Sequence, residues 1–396
     1  MTAIYWDPFD VEIDADPYPI WKRMRDEQPV YYNDRFDFFA LSRHADVEAV
    51  HRDPRTFCSS HGTVLELLGP ERIGSGQMIF LDPPEHDRLR SLVSRAFTPR
   101  RVAELEPEVR RICAELLDAQ LGGDGFDYLA DFGSLVPSKV ISALLGVPES
   151  EREEVRHHID LVFHIEPGVG MINEVSFGAQ IWLHEYLSAQ LAERRTHPRD
   201  DMLTALVRAE IDEDGEIRRL TEQEAAEFAN LLISAGTETT SRVLGWAAVL
   251  LAADPAPRSY LVEHPDSIPN AVEELLRFEA PSPVQGRWST ADAEFHGTTI
   301  PAGSKVLILT ASAGRDERRY PDPDRFDVRR RIDTHLSFGQ GIHFCIGASL
   351  ARLESRVALE ETFKRFPAWG FDEARGTRLH TSTVRGWSRV PITLQH

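Results

Sequence analysis

Residues Thr221 to Ala253 place the strongest constraint on what this chain can fold into. Thr221 and Glu224 stand three apart ahead of a periodic run, the spacing of a capping box in which each side chain satisfies a backbone N–H of the other. The run predicts a helix of about thirty residues, ~45 Å long at 1.5 Å per residue, enough to cross a domain. Phe228, Leu231, Leu232, Ala235, Gly236 and Thr239 recur along it at three- and four-residue steps. One face therefore passes from large side chains to small ones and ends on a hydroxyl.

The centre of this segment, Ala235-Gly236-Thr237-Glu238-Thr239-Thr240-Ser241, is a poor helix sequence. Gly236 costs ~1 kcal/mol relative to Ala. The threonine hydroxyls can bond to carbonyls one turn back and bend the helix. Two readings stand: a close helix crossing with a few satisfied hydroxyls, or a widening that admits a ligand beside an acid, Glu238, and an alcohol, Thr239. An acid next to a hydroxyl on an apolar wall suits a proton relay.

Helical periodicity also marks Arg101 to Gln120, Ser150 to Phe163 and Val175 to Arg195. Strand-like alternation is confined to Pro29 to Leu41, Gly286 to Thr310 and Val384 to Leu394. These strands must pair across the chain, which predicts one interleaved domain over residues 1–396, mainly α with small β-sheets. The 396 residues carry 44 basic and 64 acidic side chains, a net charge of −20. Such a balance repels nucleic acid and anionic membranes, so neither is an expected partner. The amino terminus shows no signal-peptide pattern, and no apolar run reaches the ~18–20 residues of a membrane span. Three cysteines, Cys58, Cys113 and Cys345, are too few for a disulfide framework and fit a reducing, cytoplasmic setting. Cys113 falls on a helical core position; Cys58 reads as a loop or helix-end residue.

Cys345 lies in Ser337-Phe338-Gly339-Gln340-Gly341-Ile342-His343-Phe344-Cys345-Ile346-Gly347, just before a helical pattern from Ala348 to Phe366. Its glycines allow sharp turns and close approach to a flat ligand. Ile346, Leu350, Leu353 and Val357 anchor the following helix in a core. A lone cysteine here admits four roles: packing, zinc ligation, a nucleophile beside His343, or a thiolate ligand to haem iron. Zinc is disfavoured, because no second cysteine cluster accompanies it. Elsewhere His86 and Arg90 share a helix face, Glu274 and Arg277 stand at i and i+3, and Arg287 opens a strand signal. Each taken singly also reads as an ordinary surface or structural charge.

Together these residues resemble the cytochrome P450 family, in its soluble bacterial form. Phe338-x-x-Gly341-x-His343-x-Cys345-x-Gly347 is similar to the haem-binding loop. Glu274-Leu275-Leu276-Arg277 resembles the Glu-x-x-Arg helix, and Ala235 to Thr240 the oxygen-activating helix. His86, Arg90, Arg287 and His343 match propionate-binding positions, and Pro323-Asp324-Arg325-Phe326 the loop that locks on the Glu-x-x-Arg pair. These motifs appear in the family's order from residue 82 to 352. Gly314 departs from it: bacterial relatives often carry Asn there, and a local loop effect is expected.

The resemblance implies a long central helix crossing over haem b, with Cys345 as the metal ligand. It implies His86, Arg90, Ala235, Arg287, Phe338, Gly339, His343 and Gly347 as further cofactor-binding residues. Glu238 and Thr239 become catalytic, passing protons toward O2. The implied activity is monooxygenation of a lipophilic small molecule, terpenoid, steroid, fatty acyl or aromatic. Electrons come from a separate ferredoxin and ferredoxin reductase, and the chain works as a monomer. By position, the substrate contacts are Val64, Leu65, Leu67, Leu68, Met78, Ile79, Val162, Phe163, Met171, Leu232, Val284 and Trp387, with Pro167 to Gly170 as a mobile lid. Arg100, Arg101, Arg352 and Arg356 read either as a docking surface for an acidic ferredoxin or as solvated helix charges. Rival activities are a peroxide-driven peroxygenase, a non-catalytic haem-binding sensor and a cysteine hydrolase.

Overall fold

The computed structural model describes residues 3–94, 97–166, 169–170, 172–213, 215–381 and 384–394. The expected lid residues Pro167 and Gly168 and the expected contact Met171 lie outside the described residues. The molecule is mainly helical, with five small sheets among the described residues.

The helices that matter for the site are ten. They are α1 (His44–Arg52), α2 (Glu85–Ser94), α3 (Glu106–Asp118), α4 (Leu135–Leu145), α5 (Arg152–Val162), α6 (Glu174–Thr196), α7 (Glu222–Ala253), α8 (Ile268–Phe278), α9 (Thr310–Gly314) and α10 (Ala348–Arg365). The capping box at Thr221 forms as the spacing predicts: its hydroxyl accepts from Glu224 N–H, and the Glu224 carboxylate accepts from Thr221 N–H at 2.8 Å. The helix it opens, α7, runs 32 residues and is the spine of the fold. It packs on α4, α6 and α10, and on the strand Arg385–Arg389. Phe228, Ile233, Leu244 and Ala229 on it are wholly buried.

One expected helix is two. The pattern from Arg101 to Gln120 divides into Pro99–Glu104 and α3, with Leu105 between them. Pro107 explains the break: it lacks an N–H and suits only the first turn of a new helix. Cys113 of α3 is fully buried, as its periodicity predicts. Cys58 is a strand residue rather than a loop or helix end.

The largest sheet is built from β1 (Val30–Asn33), β2 (Phe38–Leu41), β3 (Phe57–Cys58), β4 (Gln285–Ser289) and β5 (Lys305–Ile308). Its spatial order is β1-β2-β5-β4-β3. Val306 of β5 faces Phe39 in a parallel pairing on one side and Arg287 in an antiparallel pairing on the other. Strands more than 200 residues apart in sequence are thus neighbours. Arg287 is thereby held inside a five-stranded sheet, on a rigid element rather than a loop.

The Glu-x-x-Arg pair is buried more completely than its spacing reveals. Glu274 and Arg277 of α8 are both fully buried, with Arg277 Nε 2.6 Å from Glu274 Oε2. Arg277 also donates to the carbonyls of Gly314 at 2.6 Å and Pro323 at 2.9 Å. Glu274 accepts from Asp327 N–H at 2.9 Å and from Arg330. The irregular segment that carries Pro323 to Phe326 is therefore locked onto α8, and its end delivers the chain into the Cys345 loop. Gly314 has a stronger reason than the expected loop effect: a Cβ there would lie 2.3 Å from the Arg277 carbonyl oxygen.

Candidate active site

Cys345 sits where the loop meets the first turn of α10. Its own N–H donates to the Phe338 carbonyl at 2.8 Å, which closes the loop into a tight frame. Gly339 and Gly341 both take φ near +68°, a conformation that L side chains rarely adopt. At Gly341 space is also closed, since a Cβ would lie 2.4 Å from the His51 carbonyl oxygen. Gly347 differs from the expectation of a sharp turn. Its φ is −82°, and a Cβ would meet only the Cys345 sulfur, at 3.9 Å. The backbone does not demand glycine there; glycine leaves the space beside the sulfur clear.

The backbone N–H groups of Gly347 and Ala348 point at the Cys345 sulfur and favour its thiolate. Burial acts first and in the opposite direction, pushing the thiol above its ordinary range, with Arg90 and Arg352 as the nearest opposing charges. The residue is nonetheless accessible. An exposed residue whose sulfur is enclosed closely by protein lies on the wall of a recess. Phe338 is buried behind the loop, with the Arg352 guanidinium 4.5 Å above its ring.

Four basic side chains from three parts of the chain converge here. His86 of α2 is 1% exposed, and its ring lies 4.4 Å from that of His343. Arg90, one turn on, donates to the Phe344 carbonyl at 2.7 Å, beside Cys345. Arg287 of β4 is 5% exposed and donates to the Gly286 carbonyl at 2.7 Å. His86 Nδ1 pairs with Asp87 at 3.0 Å, but its Nε2 has no partner, and neither does Nε2 of His343. Burial drives both imidazoles toward the neutral form and lowers Arg287 to about 10. Buried cations and orphaned ring nitrogens are costly without an anion among them. The residues therefore fit an anionic, flat group such as haem, with its carboxylates among the four bases and its metal at Cys345.

A second accessible patch lies on α7. Most of its middle is buried, yet Ala235 is exposed and Thr239 half-buried. Thr239 Oγ1 donates to the Ala235 carbonyl at 2.9 Å, and Thr237 to that of Ile233. The helix remains α throughout, so the expected widening is a local opening of one face rather than a break. Glu238 is 7% exposed and is clamped by Arg242, whose Nη2 lies 2.6 Å from Oε1. Arg242 also donates to the Trp387 carbonyl. Burial raises the Glu238 carboxyl above its usual range, Arg242 opposes this, and Asp160 adds to it. Glu238 and Thr239 are thus adjacent, but the acid is tied to Arg242.

Sequence reasoning did not single out three residues that the structure brings in. Arg242 was readable at i+4 from Glu238. Glu354 falls on the apolar stripe of α10, four after Leu350 and three before Val357. It is 2% exposed, hydrogen-bonded to Thr240, and pushed by burial up to about 8. This bond ties α10 to α7 one residue from Thr239. His51, in α1, gave no local signal.

Of the expected substrate contacts, Leu65, Leu68 and Val284 pack together in a core cluster with Trp6 and Trp21. Met78, Val162, Leu232 and Trp387 belong to the main core, and Phe163 packs against it. Trp387 is engaged edge-on with Trp246 at 6.0 Å and Phe371 at 5.0 Å. Val64 and Leu67 are half-buried, and Ile79 is 38% exposed. Of the four arginines expected to offer a docking surface, Arg352 and Arg356 are committed to carboxylates. Arg352 bonds Glu273 at 2.7 and 2.9 Å, Arg356 bonds Glu106 and Glu360, and Arg100 reaches Glu104 at 3.4 Å. Between them lies a cleft of about 330 Å³ whose lining includes Val102, Val272 and Leu353.

The family model for cytochrome P450 matches residues 35–370. A putative cytochrome P450 123 of Mycobacterium tuberculosis is 39% identical, covering 98% of this chain and 96% of that protein. A vitamin D(3) 25-hydroxylase of Pseudonocardia autotrophica is also 39% identical, over 96% of this chain and 94% of that one. The structure of cytochrome P450 CYP109Q5 from Chondromyces apiculatus superposes with a TM-score of 0.89 at 34% identity, covering 98% of each chain. The recess, its four bases and these likenesses lead to one assignment: the chain belongs to the cytochrome P450 family of haem-iron monooxygenases.

Proposed function

We propose that this protein is a ferredoxin-dependent monooxygenase, a single domain over residues 1–396 that holds haem b and hydroxylates a lipophilic small molecule. The observation that carries the reading is the opening in α7. Ala235 and Thr239 are accessible on a helix whose middle is otherwise buried, and a buried acid, Glu238, stands beside them. When bound, thiolate-ligated haem iron supplies the activation of O2, a property long documented for this family.

The chain's own residues have separable tasks. Cys345 ligates the iron, and the Gly347 and Ala348 N–H groups temper how strongly its sulfur donates. His86, Arg90, Arg287 and His343 hold the carboxylates and fix the orientation of the ring. Phe338 and Gly339 shape the loop, and Gly347 keeps the space beside the sulfur open. With its proton on the Ala235 carbonyl, the Thr239 hydroxyl keeps its lone pairs and can accept from water. Passing a proton onward requires it to receive another, and Glu238, the buried acid one residue before it, is the proposed source. Burial raises the Glu238 carboxyl above its usual range, and Arg242 opposes the rise.

Electrons come from a separate ferredoxin and its reductase, and the three cysteines of these 396 residues are too few for a four-cysteine iron–sulfur cluster. The cleft lined by Val102, Val272 and Leu353, beside the helix that follows Cys345, offers an approach for a small iron–sulfur protein. It presents paired rather than free arginines, so docking leans on shape and apolar contact more than on net charge. A relative named for hydroxylating vitamin D(3) supports the lipophilic class of substrate. Sparse cysteines fit a cytoplasmic setting, and among the described residues no helix is long and apolar enough to cross a membrane. We take the working form to be a monomer.

The test is product formation from candidate terpenoids, steroids, fatty acids and aromatics with a reconstituted ferredoxin and reductase, run beside hydrogen peroxide alone. Candidates are first chosen by the spectral shift that follows loss of the iron's water ligand. Turnover that requires the electron chain supports the proposal. Equal turnover with peroxide would favour a peroxygenase instead.

A further inference from the structure

The four bases assigned to the haem carboxylates are not the whole cluster. His51, in the last turn of α1, is 4% exposed, and both its ring nitrogens are buried without a partner. Its ring lies against the Cys345 loop: a Cβ at Gly339 would come within 3.4 Å of His51 Cε1 and 3.7 Å of Nδ1. Its backbone is equally close, since the His51 carbonyl is what denies Gly341 a side chain. The charged neighbour that acts on it is Arg287, and it acts in turn on His343. These are two of the residues that face the expected carboxylates.

A buried imidazole with two orphaned nitrogens is an anomaly of the same kind as those of His86 and His343. Burial and Arg287 keep the His51 ring neutral, so it carries one N–H and one lone pair. Arg287 and the ring of His343 supply donors to this corner, and a carboxylate would supply the acceptor it lacks. We propose that His51 donates a hydrogen bond to the same haem carboxylate that Arg287 and His343 hold, making it a fifth positioning residue for the cofactor. This rests on the haem assignment above and adds a residue from a separate helix to it. It also gives α1 a function: its C-terminal turn is braced on the Cys345 loop and reports to the cofactor's edge.

The test uses the haem-loaded protein and two substitutions, His51→Leu and His51→Gln. Leu fills similar space without a donor; Gln restores an N–H. Two readouts are independent of turnover: the rate of haem transfer to excess apomyoglobin, and the carboxylate bending band in the resonance Raman spectrum. Loss of one hydrogen bond to a charged group predicts transfer at least about tenfold faster for His51→Leu. The Raman band should shift in that variant, and Gln should bring both readouts back toward the parent. Unchanged transfer and an unchanged band in His51→Leu would overturn the inference. If the leucine variant does not fold, a crystal structure of the parent with haem decides. A ring nitrogen within about 3.2 Å of a carboxylate oxygen supports the contact, and a separation beyond about 4 Å overturns it. The reduced carbon-monoxide spectrum separates the two levels of failure. Without a thiolate-type band the haem assignment falls and takes this inference with it, whereas a normal band with a silent His51 removes the inference alone.

Discussion

Glu354→Gln isolates the cost of keeping an acid in the core. Glu354 is 2% exposed on α10 and hydrogen-bonded to Thr240 of α7. Its carboxyl is raised from 4.5 to about 8 by burial, and only the Thr240 hydrogen bond opposes the shift. The thiol of Cys113 on α3, itself raised mainly by burial, feels the same carboxyl. A raised carboxyl means that the folded state binds more protons than the unfolded state between the two values. Stability therefore falls as pH rises through that window, and is level below 4.5 and above 8. The whole span of 3.5 units corresponds to ~5 kcal/mol at ~1.36 kcal/mol per unit. Between pH 5.5 and 7.5 the same relation gives a loss of ~2.5 kcal/mol. Gln has the same shape, can still bond Thr240 and never ionises. The stability difference between the variant and the parent should widen by ~2.5 kcal/mol in favour of the variant from pH 5.5 to pH 7.5. Urea unfolding of the haem-loaded proteins, followed by tryptophan fluorescence at the two pH values, measures the difference. Stability curves that run parallel with pH would refute the reasoning, because they would mean that Glu354 ionises as readily folded as unfolded.

Glu274→Ala strands the fully buried Arg277 guanidinium and should cost ~3–5 kcal/mol, read as a lower urea midpoint and poor recovery of haem-loaded protein. Gly314→Ala drives a methyl into the Arg277 carbonyl and should cost ~1–3 kcal/mol by the same measurement, with Arg277 itself unaltered. Thr239→Ala should lower product per electron consumed and raise peroxide release, assayed together in the reconstituted system; unchanged coupling would argue against the relay. Arg242→Leu removes the counter-charge of Glu238, so its carboxyl should rise further, and the acid limb of the coupling profile should move to higher pH.

The parts of this fold that could be read from sequence are those whose cause is local. The capping box at Thr221, the periodicity of α7 and the turns at Gly339 and Gly341 each act through neighbours a few residues away. They appear in the structure as their spacing predicts. Pro107 is a local cause too, and its helix start was overlooked because the apolar period continues across Leu105. What escaped reading depends on contacts across the chain. Gly314 looked like a loop variation because the carbonyl that excludes a side chain belongs to Arg277, 37 positions away. Two of the partners that tie down the arginines of α10, Glu273 of Arg352 and Glu106 of Arg356, sit on other helices.

His51 is the limiting case. In Val50-His51-Arg52-Asp53 it reads as a polar helix end, and only the fold sets it against a loop almost 290 positions later. The local signals suffice to build the scaffold and to mark Cys345. The charges and orphaned nitrogens that fit the recess to an anionic group are properties of elements brought together. A single sequence states them only when a family pattern supplies the missing distances, and His51 lies outside that pattern. That is why it can be found only from the structure, and why its removal tests whether the cluster of bases at the cofactor's edge is larger than the family motif implies.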